Sequence, residues 1–182
     1  MSEAMKTAEH RLHLYYGEGK GKTTAAMGLA LRALGHGRKV LIAQFMKTGT
    51  SGELAALRQV PGARVEVLSP VRGFFSRMSE EEQARTIREQ TRQARDLADE
   101  INREQPDMIV LDELAVAWAR GAVEDAAAEA LVRAALAAGE TVVTGRDAPA
   151  WLLARADYVS QIASQRHPYQ TEGLRAREGV EW

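Results

Sequence analysis

The stretch YYGEGKGKTTAAMG (residues 15–28) joins the end of an alternating apolar run to a segment with helical spacing, through a loop with glycines at positions 17, 19 and 21. Because glycine has no Cβ atom, the backbone N–H groups of such a loop can converge on the oxygens of a phosphate. A helix that begins near Thr23 adds the positive end of its dipole at the same place. The stretch therefore predicts a strand, a loop and a helix that together bind a polyphosphate.

Two side chains of this loop are expected to act on the ligand directly. Lys22 is expected to contact terminal phosphate oxygens, and the Thr23 hydroxyl is placed to coordinate Mg²⁺, as in P-loop nucleotide-binding proteins. The usual P-loop pattern has a glycine five residues before the Gly-Lys pair, where this chain has Tyr16. A flexible surface loop without a ligand is the alternative interpretation, and the strand and helix on either side of the loop argue against it.

The rest of the chain alternates between strand-like and helix-like segments. Apolar runs predict strands at 11–17, 39–45, 108–113, 141–146 and 157–162, with a weaker candidate at 65–68. Helical spacing predicts helices at 23–34, about 80–104, 123–138 and 148–156. Ser79 and Glu82 have the spacing of a capping box at the start of the long helix. The alternation is typical of an α/β protein with a mostly parallel sheet and helices on both faces, because parallel neighbours need crossover connections.

Length and composition restrict the class of protein further. The chain has 182 residues, 45% of them apolar, a formal net charge of −1 and no cysteine. These values predict one domain over residues 1–182. Within it, residues 1–10 are expected to be disordered and the tail after Ser164 to be irregular. They exclude disulfides and thiolate metal sites, and they argue against nucleic-acid binding and membrane insertion. We expect a cytoplasmic protein.

Charged and polar side chains follow the predicted strands at their carboxyl ends, the edge where ligands bind in open parallel sheets. Asp112 and Glu113 follow the apolar residues IVL, and at least one of them is expected to face Mg²⁺. Solvation of a strand end is the alternative role for both. Arg146 reaches the same edge or faces solvent, and the sequence leaves both possibilities open. The side chains that end the second strand in a similar way are Gln44, Phe45 and Lys47.

The aromatic pair Phe74-Phe75 lies in the segment GFFSRM (73–78), which is predicted to be a loop. From the residues alone, a role as a core anchor is at least as well supported as contact with a ligand. The histidines at positions 10, 13, 36 and 167 do not have the spacing of a metal site. Reasoning from residues thus reaches an ATP- or GTP-binding protein that uses Mg²⁺, and leaves the acceptor open.

Several segments together resemble the ATP:corrinoid adenosyltransferases of cobalamin biosynthesis. They are YGEGKGKTTAAMGLALRALGHG, VLIAQFMK, the pair Gly52-Glu53, VLDEL, TGR and the tail RHPYQTEGLRAREGVEW. The likeness runs from about Leu14 to Trp182, and a shortened glycine-lysine loop is itself a feature of that family. The resemblance implies a RecA-like P-loop fold, usually dimeric. It also implies transfer of the 5′-deoxyadenosyl group of ATP to the cobalt(I) of a corrinoid, with release of triphosphate, in adenosylcobalamin biosynthesis or salvage.

The same resemblance implies roles for individual residues. The residues expected to hold the triphosphate are Gly17, Glu18, Gly19, Lys20, Gly21, Lys22, Thr23 and Thr24, of which Lys22 and Thr23 are the catalytic pair. Thr23, Asp112 and Glu113 are expected around Mg²⁺ or Mn²⁺. Phe74 and Phe75 fall where relatives place aromatic rings against the corrinoid, although Ser76 stands near a position where relatives commonly have tryptophan. A reducing flavoprotein is the implied protein partner.

Two other functions are compatible with the loop. One is a RecA-like ATPase module that uses hydrolysis to drive a conformational change or a partner interaction, without a corrinoid. The other is a small-molecule kinase, although no arginine-rich lid over the phosphates is evident in the sequence. Hydrolases and kinases act at the terminal phosphorus and leave ADP, whereas attack at the 5′ carbon releases intact triphosphate. The product formed from ATP therefore distinguishes adenosyl transfer from the other two functions.

Overall fold

The computed structural model describes residues 10–68 and 75–180. Its strands are β1 (Leu12–Tyr16), β2 (Val40–Gln44), β3 (Ala63–Val67), β4 (Met108–Asp112), β5 (Glu140–Gly145) and β6 (Tyr158–Gln161). Its helices are α1 (Lys22–Gly35), α2 (Gly52–Leu57), α3 (Glu80–Glu104), α4 (Leu114–Ala119), α5 (Asp125–Ala138), α6 (Ala150–Arg155) and α7 (Pro168–Glu172). Within these described ranges, no helix combines the length and the apolar character needed to cross a bilayer.

The described strands form one six-stranded sheet in the order β3-β2-β4-β5-β1-β6, and every neighbouring pair is parallel. This confirms the predicted α/β class. Because all strands run the same way, their carboxyl ends lie at one edge of the sheet. β5 lies between β4 and β1, so the acid-ended strand and the strand that leads into the glycine loop are not direct neighbours.

Alternate side chains of the central strands enter different cores on the two faces of the sheet. In β4, Ile109 and Leu111 belong to a larger core built with α3, α4 and α5. Met108 and Val110 belong to a smaller core built with α1 and α2. Every residue of β2 and β4 is buried. Burial on both faces explains why these strands appear in the sequence as continuous apolar runs without polar alternation.

Two helix starts agree closely with the sequence. Helix α3 begins with the predicted capping box: the Ser79 Oγ accepts the Glu82 N–H at 3.3 Å, and the Glu82 carboxylate accepts the Ser79 N–H at 2.9 Å. Helix α1 begins directly after Gly21, whose φ of 117° is left-handed. The buried side chains of α1 that hold it against the sheet include Ala26, Met27, Ala30 and Leu34. The first turn of α1 therefore lies at the carboxyl edge.

Three short helices were not predicted: α2, α4 and α7. Helix α4 follows β4 after a single residue, so its apolar side chains appear in the sequence as a continuation of the buried strand. Helix α7 corrects the expectation of an irregular tail after Ser164. It has Pro168 at its first turn, and the His167 ring nitrogen accepts the Tyr169 N–H at 3.2 Å. The expected disorder of residues 1–10 concerns, apart from His10, positions outside the described residues.

Replacing Gly145 by alanine is expected to lower the free energy of unfolding by about 1–3 kcal/mol, because overpacking costs that much. Gly145 ends β5 where α4 passes, and a Cβ there would lie 2.6 Å from the Val116 backbone nitrogen and 2.8 Å from the Ala115 Cβ. The measurement is urea unfolding followed by circular dichroism.

Gly28→Ala is the matched control. Gly28 lies inside α1, and a Cβ there would meet no atom within 4 Å. Alanine at this position is expected to stabilise the protein by roughly 0.5–1 kcal/mol, because it loses less conformational entropy in a helix. Equal urea midpoints for Gly145→Ala and the wild type would contradict the close approach of α4 to β5.

Candidate nucleotide-binding site

The carboxyl edge of the sheet brings together four segments that are far apart in sequence. The glycine loop follows β1, and Lys47 lies just beyond β2. Asp112 is the last residue of β4, and Thr144 is the second-to-last residue of β5, before Gly145. The loop, a lysine, a carboxylate and a hydroxyl therefore meet because the strands are parallel and adjacent.

Backbone hydrogen bonds hold the glycine loop against the ends of β5 and β6. The Gly17 N–H donates to the carbonyl oxygens of Gly145 and Arg146, at 3.2 and 3.0 Å, and the Gly19 N–H donates to that of Ile162 at 2.7 Å. A Cβ at Gly19 would lie 2.7 Å from the Ile162 oxygen. These two glycines are thus required by close packing, and their N–H groups point into the protein. The predicted convergence of loop N–H groups on phosphate therefore falls to the other amides of the loop, and it remains a prediction.

Lys22 lies inside the curve of the loop. Its Nζ donates to the carbonyl oxygens of Gly17 and Gly19, both at 2.7 Å. The residue is only 8% exposed. Burial lowers the pKa of Lys22, and the negative charge of Glu113 acts in the opposite direction. A phosphate oxygen would be a stronger partner for this ammonium than a carbonyl, because both groups are then charged.

Asp112 is fully buried, and both of its carboxylate oxygens are saturated with hydrogen bonds. Oδ1 accepts the hydroxyls of Thr23 at 2.9 Å and Thr144 at 2.7 Å. Oδ2 accepts the Gln44 amide and the Lys47 ammonium, each at 2.9 Å. A buried carboxylate needs such a set of donors to remain ionised. Asp112 therefore orients Thr23, whose hydroxyl donates to the carboxylate and whose oxygen accepts the Lys47 ammonium at 3.1 Å.

The ionic pair of Lys47 and Asp112 decides the charge of both groups. Burial by itself would raise the pKa of Asp112, but the Lys47 charge and the hydrogen bonds from Lys47, Thr144 and Gln44 outweigh it and lower the pKa below its usual value. Burial would lower the pKa of Lys47, and the attraction of Asp112 reverses that effect, so the Lys47 pKa is raised. Both groups are ionised at neutral pH.

Glu113 differs from Asp112 in conformation and in environment. Its φ of 63° is left-handed, and its N–H donates to the Thr144 hydroxyl at 3.0 Å. Burial, followed by the neighbouring charge of Asp112, raises the pKa of Glu113. Lys47 and Lys22 partly offset this shift. The backbone turn at Glu113 thus places its carboxyl group within the electrostatic reach of both lysines.

The donor set of this edge suits Mg²⁺ or Mn²⁺. Mg²⁺ at phosphate sites is usually held by one or two carboxylates together with phosphate oxygens and water. The Thr23 hydroxyl and the Glu113 carboxyl group fit that pattern, whereas the Asp112 oxygens already accept four hydrogen bonds and would have to exchange one of them for the metal. Residues 10–68 and 75–180 contain no group of three or more His, Cys, Asp or Glu side chains placed to hold a metal. That the metal contacts Thr23, Asp112 and Glu113 remains a prediction.

Three other loop residues expected at the site, Glu18, Lys20 and Thr24, differ in the contacts that their side chains make. Glu18 forms an ion pair with Arg146 at 3.2 Å, which brings Arg146 to the loop. The Lys20 ammonium donates to the Val180 carbonyl oxygen at 2.9 Å, and Thr24 is exposed on the first turn of α1.

The aromatic pair is only partly described. Phe75 is 8% exposed and belongs to the larger core. This is the environment of a core anchor, one of the two roles that the sequence left open. Phe74 lies outside the described residues. Contact of either ring with a corrinoid remains a prediction.

Sequence reasoning missed the roles of Thr144 and Lys47. Both lie in short motifs that were noticed, TGR and QFMK, because they end strands. What the sequence did not indicate is that both side chains bind the same carboxylate, Asp112. Strand adjacency carries that information, because β2 and β5 are the two neighbours of β4.

The protein has a parallel α/β sheet, a lysine-bearing glycine loop after β1 and an acid-ended strand at the same edge, an arrangement consistent with the P-loop nucleotide-binding fold. The family described as ATP:corrinoid adenosyltransferase BtuR/CobO/CobP matches residues 8–182. The chain belongs to this family.

Individual relatives agree with this assignment. A corrinoid adenosyltransferase of Pseudomonas aeruginosa is 34% identical over 172 residues, which cover 94% of this chain and 83% of the relative. The corrinoid adenosyltransferase CobA of Salmonella typhimurium is 31% identical over 170 residues, covering 93% and 84% of the two chains. A corrinoid adenosyltransferase of Escherichia coli K12 is 34% identical over 174 residues, with the same coverage. The likeness therefore extends over nearly the whole chain.

Replacing Glu113 by glutamine is expected to stabilise the protein at pH 8 and to have little effect near pH 4. Because the pKa of Glu113 is raised in the folded state, its contribution to stability is fully present below the ordinary carboxyl pKa of about 4.3 and is lost as the pH rises through the folded-state value. Glutamine removes the ionisation and keeps the shape. The measurement is the urea midpoint at both pH values.

Glu89→Gln, at an exposed position of α3, is the control and should leave the urea midpoint nearly unchanged at both pH values. A lower midpoint for Glu113→Gln than for the wild type at pH 8 would show that Glu113 is not destabilised by its surroundings.

Proposed function

We propose that this chain transfers the 5′-deoxyadenosyl group of ATP to the cobalt of a reduced corrinoid and releases triphosphate. Family membership and the corrinoid adenosyltransferases among its relatives support this activity. The observation in this chain that carries the proposal is the loop already closed around Lys22, beside the hydrogen-bonded pair of Thr23 and Asp112.

The proposed step is a displacement at carbon. The electron pair of cobalt(I) forms a bond to the ribose 5′ carbon, the bond from that carbon to the α-phosphate oxygen breaks, and its electron pair leaves with the triphosphate. No proton is removed from the nucleophile, so the protein needs no general base, and the corrinoid supplies the difficult chemistry. The protein has to position the two substrates and to stabilise the charge that develops on triphosphate.

Residues of the loop are suited to that second task. Lys22 exchanges its bonds to two carbonyl oxygens for bonds to phosphate oxygens. The N–H groups of Lys22, Thr23 and Thr24 belong to the first turn of α1, where a helix leaves its amides without intrahelical partners. Thr23 would hold Mg²⁺ or Mn²⁺ through its hydroxyl oxygen, and Asp112 orients that hydroxyl. The bound metal supplies additional positive charge to the departing triphosphate.

Finer parts of the proposal concern the partners of the reaction. The resemblance supports a homodimer, a reducing flavoprotein that delivers electrons to cobalt, and action in the cytoplasm. It also supports contact of Phe74 and Phe75 with the corrinoid, although the burial of Phe75 favours an anchoring role for that ring. Binding measurements with corrinoids that differ in their lower ligand would identify the preferred corrinoid.

Lys22→Ala and Thr23→Ala are each expected to reduce the rate of adenosyl transfer at least about tenfold, because a charge-assisted contact to phosphate contributes about 1.5–3 kcal/mol. The rate is read from the change in the corrinoid absorption spectrum with chemically reduced cobalamin and saturating ATP and Mg²⁺. Lys39→Ala, an exposed residue before β2, is the control and should retain the wild-type rate. Full activity of either loop variant would contradict the assignment of the loop.

The product of ATP distinguishes this function from the ATPase module and the kinase. With reduced corrinoid present, phosphorus NMR is expected to show inorganic triphosphate appearing in equal amount to the adenosylated corrinoid, because the cleaved bond lies between carbon and oxygen. Without corrinoid, ATP should remain largely intact. If ADP and phosphate accumulate at the same rate with and without corrinoid, the protein is an ATPase and the proposed function is wrong.

A further inference from the structure

The Lys47 ammonium lies between the carboxylate of Asp112 and the hydroxyl of Thr23, at the position expected for a metal ion. Its Nζ is 2.9 Å from the Asp112 Oδ2 and 3.1 Å from the Thr23 Oγ1, and it donates to both oxygens. The other groups that donate to Asp112 are the hydroxyls of Thr23 and Thr144 and the amide of Gln44, none of which carries a charge. Among the described residues, Lys47 is therefore the positively charged group that is hydrogen-bonded to the buried carboxylate.

The backbone before Lys47 has an uncommon conformation that directs the lysine to this place. Met46 has a φ of 54°, a left-handed value that is rare for a residue other than glycine. Met46 directly precedes Lys47, whose Nζ lies 2.9 Å from the Asp112 Oδ2. Such backbone conformations persist where surrounding contacts hold them, and they concentrate at functional sites.

The two members of this ion pair differ in their access to solvent. The Lys47 side chain is 33% exposed, whereas that of Asp112 has no exposed surface. The ammonium can therefore leave the pair by rotation of its long side chain, while Asp112 stays in place. A charge that leaves the pair needs another positive charge to take its position, because an unpaired buried carboxylate is strongly destabilising.

An ammonium and a divalent cation exclude each other at this position. Lys47 donates to the oxygen of Thr23, the atom that the proposed metal would use. Two positive charges within a few ångströms of each other repel strongly in a partly buried site. Metal binding at Thr23 therefore requires Lys47 to move away, and the negative oxygens of a bound triphosphate provide a new partner for its ammonium.

We propose that Lys47 is an internal counter-ion that holds the metal position of the nucleotide-free protein and gives it up when ATP and the divalent metal bind together. The inference rests on the proposed function, since it takes Thr23 as the contact of the nucleotide-bound metal. The consequence is an order of binding: the metal binds weakly in the absence of ATP and more tightly when ATP is bound. Lys47 is thus a positioning residue for the metal.

Removing the charge of Lys47 tests this directly. Mn²⁺ binding is measured by electron paramagnetic resonance of the free ion, first without nucleotide and then with ATP, and with no corrinoid present. Lys47→Met is expected to bind Mn²⁺ about tenfold or more tightly than the wild type without ATP, because a repelling charge is removed and Asp112 is left unbalanced. With ATP the two affinities should approach each other. Equal or weaker Mn²⁺ binding by Lys47→Met without ATP would overturn the proposal.

Two controls separate charge from a general loss of structure. Lys39→Met removes a lysine at the opposite end of β2, where the side chain is exposed, and should bind Mn²⁺ as the wild type does. Lys47→Arg keeps a positive charge and should bind Mn²⁺ as weakly as the wild type without ATP. Mn²⁺ binding by Lys47→Arg that is as tight as that of Lys47→Met would overturn the role of charge.

Thermal unfolding keeps the test decisive if Lys47→Met is poorly folded. A ligand that binds only the folded state raises the unfolding temperature. Mn²⁺ without ATP should therefore raise the unfolding temperature of Lys47→Met, or restore its unfolding transition. It should change the unfolding temperatures of the wild type and of Lys39→Met little. Absence of this Mn²⁺ effect in Lys47→Met overturns the proposal.

The outcome is distinguishable from failure of the proposed function. Loss of adenosyl transfer with the expected Mn²⁺ and ATP behaviour would overturn only the function. A wild-type protein that binds no Mn²⁺ even with ATP would overturn the metal contact at Thr23 and the role of Lys47 together.

Discussion

The buried carboxylate of Asp112 is the group on which the rest of the site depends. A fully buried negative charge is stable only when its oxygens are satisfied by hydrogen bonds and a positive charge lies nearby. Thr23, Thr144, Gln44 and Lys47 meet that requirement, and they come from the first turn of α1 and from the ends of two strands. The buried charge of Asp112 thus brings together segments that are far apart in the chain. It also orients the Thr23 hydroxyl, which is proposed to hold a metal.

The glycine loop has its shape before a phosphate arrives. Its backbone is tied to the ends of β5 and β6, and its own carbonyl oxygens surround the Lys22 ammonium. A site that is already ordered loses less conformational entropy when it binds its ligand. This suits a reaction in which the corrinoid supplies the nucleophile and the protein supplies position and charge.

The particular elements show where sequence reasoning succeeds and where it stops. The strand of residues 108–112, the capping box at Ser79 and the helix after the glycine loop were predicted closely, because each has a local signal in periodicity or in capping residues. Helix α4 was missed because its apolar residues follow a buried strand without a polar turn. The sequence left two roles open for Phe75, core anchor and ligand contact, because the burial of a side chain depends on tertiary packing, which places Phe75 in the larger core.

The sequence by itself determined the α/β class, the strand-loop-helix unit that contains Lys22 and Thr23, and the position of Asp112 at the end of a buried strand. Each of these is local, because it follows from residues within one turn of a helix or one strand. Only the tertiary structure decided that β2 and β5 flank β4, and therefore that Lys47 and Thr144 bind the same carboxylate. The physical reason is that strand order is set by the packing of helices on both faces of the sheet, which no local pattern records.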